Sequence, residues 1–326
     1  MNNRTALGVI SVVLFSLVIY GGRLYFKPSH LPKVPSVRLV YIPTSSGLPF
    51  FVADHKGYLK LDGAEVVVIR AESPSEAINL ILAGRADIAI QLNMSGVFGA
   101  LIASPNTFKC FMPTIETDDS NFDYILVPEA SSISAPEDFR GKTIGLRQGP
   151  TDLLLAQLYL RKHGIDAQKD VILLQMQSKQ LLDGLHSKSI DAAFTNDPDA
   201  TIGINNLKIV TFKRFYRGEL LNPFPATCNL VRTKFVNENP ALFEHVVIAL
   251  KRAINDINKD LGSSLTVMPH YTPIEPKLAS KVGVPVFSTD YMIYTELLQK
   301  LANVYEEGKA ISHAPSINKI FISTPD

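Results

Sequence analysis

The chain has no tryptophan, only two cysteines in 326 residues, and no run of basic residues. With a net charge of +1, the missing basic run argues against nucleic acid as a partner, because phosphate binding relies on clustered Lys and Arg. Cys110 and Cys228 stand alone and form no Cys-rich motif. The seven histidines never fall in an H-x-x-x-H or similar metal spacing, and no G-x-S-x-G or phosphate-loop pattern occurs. No catalytic constellation is therefore visible, and neither a metal nor a cofactor is expected. Without Trp, any ring stacking on a ligand falls to Tyr41, Phe98, Phe194, Tyr216 or Phe224.

What is present is a chain 46% apolar and 19% charged, a composition that packs well and is long enough for two domains. Its most informative stretch is GKTIGLRQGPTDLLLAQLYLRKHG, from Gly141 to Gly164. Lys142 to Gln148 reads as a strand, Gly149 permits a sharp turn, Pro150 suits the first helical position, and Gly164 ends the helix. Such a turn is expected to leave N–H groups facing outward at the positive end of a helix, where Gln148, Gly149 and the hydroxyl of Thr151 can hold an anion or a polar atom. An ordinary α/β turn has the same grammar.

About a hundred residues earlier the pattern recurs. VRLVYIPTSSGLPFFVADHKG is again strand, Pro-Thr turn, helix and closing Gly, and EAINLILAGRADIAIQLN aligns with QLLDGLHSKSIDAAFTND, so that Asp87 answers Asp191. Each half reads as alternating strands and helices. That order implies an α/β fold of two mainly parallel sheets flanked by helices, with ligands at the carboxyl ends of the strands. The cleft candidates are accordingly Tyr41, Thr44, Ser45 and Ser46 at the first turn, Gln91, Asn93 and Ser95 at the strand end beside it, and Asn196 and Asp197 at the matching end in the second half. Asp197 and Asp199 offer carboxylates to a cationic group, but helix capping competes for one of them, as it does for the hydroxyls and for Asn93. Arg147 offers a bidentate site for a sulfonate or carboxylate, but an Arg at a strand end is more often solvated, and no anion is assigned from it.

Before the fold, Thr5 to Gly22 is uncharged and about the minimum length for a membrane-crossing helix. Bulky Val18-Ile19-Tyr20 and the marginal Gly21-Gly22 favour an uncleaved anchor over a cleaved signal within residues 1–27, and Pro28, Pro32 and Pro35 make residues 28–36 a stiff linker. The remainder divides into one lobe of residues 37–126 with 224–326 and a second of residues 127–223, with crossings near Tyr124 to Pro128 and Pro223 to Thr227. Leu297 to Tyr305 is amphipathic and is expected to pack on the first lobe.

YIPTSSGLPFFVADHKGYL, AGRADIAI, SAPEDFRGKTIGLRQGPTDLLLAQLYLRKHGI and NENPALFEHVVIALKRAI, in that order, resemble the nitrate/sulfonate/taurine and thiamine-pyrimidine group of periplasmic substrate-binding proteins. The resemblance covers nearly everything after the linker. It implies a two-lobed periplasmic-binding-protein fold that closes on a small solute and hands it to the permease of an ABC importer in the inner membrane. The protein would be a monomer held in the periplasm by its N-terminal helix, or free there if the helix is cleaved. The ligand contacts it implies, Thr44 to Ser46, Gln91 to Ser95, Gln148 to Thr151 and Asn196 to Asp197, are those the internal repeat selects. It also implies that the strand carrying Cys228 returns beside the strand carrying Cys110, leaving open a disulfide or two buried thiols. The other functions compatible with the scaffold are an extracytoplasmic sensor and a thiamine-pyrimidine synthesis enzyme. The absence of a signalling segment before Asp326 favours transport over sensing, and the missing Cys-rich motif weighs against the enzyme.

Overall fold

The computed structural model describes residues 34–290 and 294–322. The expected anchor and most of the linker lie outside them. Among the described residues no helix is long and apolar enough to cross a membrane.

Two five-stranded sheets are built to one plan. The first contains β1 (Ser36–Tyr41), β2 (Glu65–Arg70), β3 (Ile88–Asn93), β4 (Phe108–Glu116) and β10 (Phe224–Arg232), in the order β2-β1-β3-β10-β4. The second contains β5 (Asp123–Pro128), β6 (Thr143–Arg147), β7 (Ile172–Met176), β8 (Ala192–Asn196) and β9 (Ile209–Arg214), in the order β7-β6-β8-β5-β9. In each sheet the first three strands are parallel and the fourth is antiparallel to both its neighbours. Those fourth strands, β10 and β5, enter by the two crossings between the sheets. Tyr124 to Pro128, expected as a crossing, is thus part of a strand wholly in the second sheet, and the chain crosses between Glu116 and Asp123 and returns between Arg214 and Phe224.

The repeat seen in the sequence has a physical cause. Asp87 accepts the backbone N–H of Arg38 at 3.0 Å, and Asp191 accepts that of Thr143 at 2.8 Å. Each carboxylate caps the start of the neighbouring strand and fixes its register. Helix boundaries follow local chemistry as well. The Pro74–Leu82 helix is capped by Ser73, which accepts the Glu76 N–H, and ends before Gly84 at φ +68°.

Apolar burial joins the layers. The Thr295–Glu307 helix buries Leu298, Leu301, Ala302 and Tyr305, with Tyr305 edge-on to Phe98 of the Met94–Ala103 helix against the first sheet. The same apolar cluster continues to Leu155, Tyr159, Phe194 and Tyr216 of the second. A tail segment also touches both sides: Gly283 N–H donates to Asp197 at 2.6 Å and Val286 N–H to the Ile115 carbonyl at 2.8 Å. Cys110 and Cys228 lie on the adjacent strands β4 and β10 as free, buried thiols. Burial and the neighbouring Cys110 push the Cys228 thiol well up.

Candidate functional site

The carboxyl ends of β1, β3, β6 and β8 converge on one narrow cavity of about 20 Å³. From the first sheet it is lined by Thr44 and Ser46, whose hydroxyls are 3.0 Å apart, and by Gln91, Asn93 and Thr227. Arg147, Asn196 and Arg217 close the other side, with Phe122 at the crossing.

The first-sheet wall is a fixed hydrogen-bond chain. Thr114 and Thr227 share a hydrogen bond at 2.6 Å, and the Thr227 hydroxyl donates to the Gln91 side-chain oxygen. Gln91 itself sits at φ +48°, a left-handed conformation uncommon for a non-glycine residue. It is held there by its N–H to Asn229 at 3.1 Å and by its side-chain amide to the Met112 carbonyl at 3.2 Å. Asn93 caps the following helix, its oxygen accepting the Gly96 N–H at 3.3 Å.

The second wall is charged. Arg147, whose side chain is 12% exposed, donates to Asn196 at 2.7 Å and reaches Asp152 at 3.4 Å. Arg217, 5% exposed, donates to Glu116 at 3.1 Å and stands 3.8 Å from Asp152. Three rings, Phe122, Tyr216 and Phe224, face its guanidinium at 5.6 to 5.8 Å. Burial opposes its charge, but Tyr216, Glu116, Asp123 and Asp152 outweigh burial and hold it cationic. Asp123 is fully buried beside this group, and burial with the nearby Glu116 pushes its carboxyl well above the usual range.

Of the residues singled out from the sequence, Thr44, Ser46, Gln91, Asn93 and Asn196 line the cavity. Others have different surroundings. Tyr41 places its ring against Phe50, Phe51 and Tyr271 in the first-sheet core. Ser45 is buried, its N–H donating to the Asp197 carbonyl at 3.2 Å. Ser95 and Thr151 join hydroxyl to hydroxyl across the two halves. Gln148 is exposed, and its N–H is taken by the Met176 carbonyl at 3.2 Å.

Two expectations need correction. The Gly149 N–H does not face outward free but donates to the Gln175 side chain at 3.0 Å, so this turn offers a ligand one donor fewer than its sequence suggests. The Asp197 carboxylate is not available to a cationic group either. It accepts from Thr201 N–H at 3.0 Å, Thr201 hydroxyl at 2.7 Å, Tyr124 hydroxyl at 3.0 Å and Gly283 N–H at 2.6 Å, which together oppose the rise that burial gives its pKa. Arg147, read from the sequence as a solvated strand end, is largely withdrawn from solvent by Asn196 and Asp152. Arg217 and Thr227 were not visible as site residues. Arg217 lies in a short turn with no periodicity, and Glu116 is 101 residues away.

Two similarly wound α/β sheets, bridged by two crossings and meeting at a polar cleft, define the periplasmic-binding-protein fold. Residues 45–260 match the family model described as NMT1/THI5 like, and the chain belongs to that family. Among solved structures it is similar to the alkanesulfonate-binding protein SsuA from Xanthomonas axonopodis pv. citri bound to MOPS, with TM-score 0.73 and 14% identity over 88% of this chain and 98% of that one. The aliphatic sulphonate binding protein SsuA from Escherichia coli matches with TM-score 0.71 and 14% identity, over 89% and 92% of the two chains. At these identities the likeness establishes the fold alone. A Bacillus subtilis protein, YtlA, is 25% identical over 128 residues, spanning 39% of this chain and 37% of that protein.

Proposed function

We propose that this chain is the extracytoplasmic solute-binding component of an ABC importer, capturing a small polar solute between the lobes built on its first and second sheets. The observation that carries this reading is the convergence of Thr44, Ser46 and Asn93 from one sheet with Arg147 and Asn196 from the other on a single cavity. A group bound there touches both halves, so its binding free energy favours their approach. Family membership and the sulfonate-binding neighbours support the reading. In this reading the segment before Ser36 tethers the domain to the membrane in the periplasm, and the solute passes unchanged to a permease.

The test is thermal unfolding of the chain against sulfonates, taurine, nitrate, aminopyrimidines, riboflavin and simple carboxylates. A ligand at a hundredfold over its dissociation constant adds about 2.7 kcal/mol to stability and raises the midpoint by several degrees. No shift with any of them contradicts the proposal. Recovery of a chemically altered ligand after incubation would point instead to an enzyme.

A further inference from the structure

The cleft wall has a chemical bias that narrows the solute, on the reading that the cleft is the solute site. Its side-chain amide oxygens are already engaged. The Asn93 oxygen accepts from Gly96, the Asn196 oxygen from Arg147, and the Gln91 oxygen from Thr227. What remains unmatched is mostly donor. Among the described residues the Nε–H groups of Arg147 and Arg217 are buried without an acceptor, and the Asn93 and Asn196 side chains bond through their oxygens and not through their amide nitrogens. Among the described residues no carboxylate lines the cavity, because Glu116 and Asp152 pair with the guanidiniums from outside its lining.

A buried N–H without an acceptor costs about 1–3 kcal/mol, so a ligand that supplies acceptors gains at several points of this wall together. An ammonium group would meet two guanidiniums and no carboxylate on the wall. We propose that the cleft selects a small monovalent oxyanion, of sulfonate or carboxylate type and without a cationic centre, held between Arg147 and Arg217 with the Asn93 and Asn196 amides completing its hydrogen bonds. Glu116, Asp152 and the aromatic rings around Arg217 fix the two guanidiniums before the ligand arrives, which lowers the cost of ordering them on binding.

Calorimetry on the full chain separates the cases with four probes: ethanesulfonate, acetate, taurine and 4-aminopyrimidine. Taurine carries the sulfonate of the first with an added ammonium, and 4-aminopyrimidine offers an uncharged ring with both donors and acceptors. The expected result is binding of ethanesulfonate or acetate, with taurine at least about tenfold weaker than ethanesulfonate. Arg147→Gln leaves Asp152 beside Arg217 and is expected to weaken the oxyanion by at least about tenfold, with its unfolding midpoint measured alongside to establish that it is folded. Arg217→Gln alone strands Glu116 in the interior, so Arg217→Gln is combined with Glu116→Gln, and the pair is expected to show the same loss. Taurine binding as tightly as ethanesulfonate overturns the proposal, as does unchanged oxyanion affinity in Arg147→Gln. Binding of 4-aminopyrimidine with neither oxyanion overturns the anion assignment but leaves the solute-binding reading standing. Binding of none of the four overturns the anion assignment, and the wider panel above then decides the solute-binding reading on its own.

Discussion

Arg217 and Asp123 meet where the chain crosses between the sheets, and their chemistry fixes how the cleft responds to pH. Asp123 accepts the Arg217 backbone N–H at 3.3 Å. In the unfolded chain an Asp titrates near 3.9, whereas burial first, and then Glu116, raises Asp123 well above its ordinary value in the fold, against the opposing pull of Arg217. From about pH 4 up through that raised pKa the folded state holds the additional proton, so stability falls as pH rises. Asn mimics the protonated carboxyl and cannot lose a proton. Asp123→Asn is therefore expected to gain stability relative to the parent as pH rises from about 4 to 7, measured as the difference in unfolding midpoints. A difference that does not change with pH would contradict this assignment.

At the scale of elements, the tail between the Pro240–Lys259 and Thr295–Glu307 helices is a brace. Gly283 donates to Asp197 beside the cleft, Ser120 donates to the Val284 carbonyl at 3.0 Å, and Val286 pairs with Ile115 of β4. A Cβ at Gly283 would fall against the Asn121 carbonyl oxygen and 3.0 Å from the Asp197 carboxylate. Backbone cannot yield as a flexible side chain can. Gly283→Ala is expected to cost about 1–3 kcal/mol and to weaken solute binding, because the Asp197 strand end shifts with it. Chemical denaturation and calorimetry check the two effects, and a variant as stable as the parent would show that the brace gives way at no cost.

Over the whole molecule, what the sequence revealed and what it hid divide by distance along the chain. The strand and helix order was legible because Gly149 at φ +144°, the Ser73 cap and the Asp87 and Asp191 strand caps each act within or beside their own element. The first-sheet cleft residues followed from the rule that ligands sit at strand ends. Arg217 did not, because its role depends on Glu116 from the other crossing and on rings from three segments, none of them local. Asp197 misled for the opposite reason. Its position at a strand end was right, but Gly283, 86 residues away, takes a share of its carboxylate.

Closure of two lobes on a solute is the central claim, and small-angle scattering tests it most directly. The chain is measured alone and with a saturating concentration of whichever ligand raises its unfolding midpoint. Closure predicts a smaller radius of gyration with ligand, together with a shift of that change to at least about tenfold higher ligand concentration in Arg147→Gln. Identical scattering with and without a ligand proven to bind would contradict it.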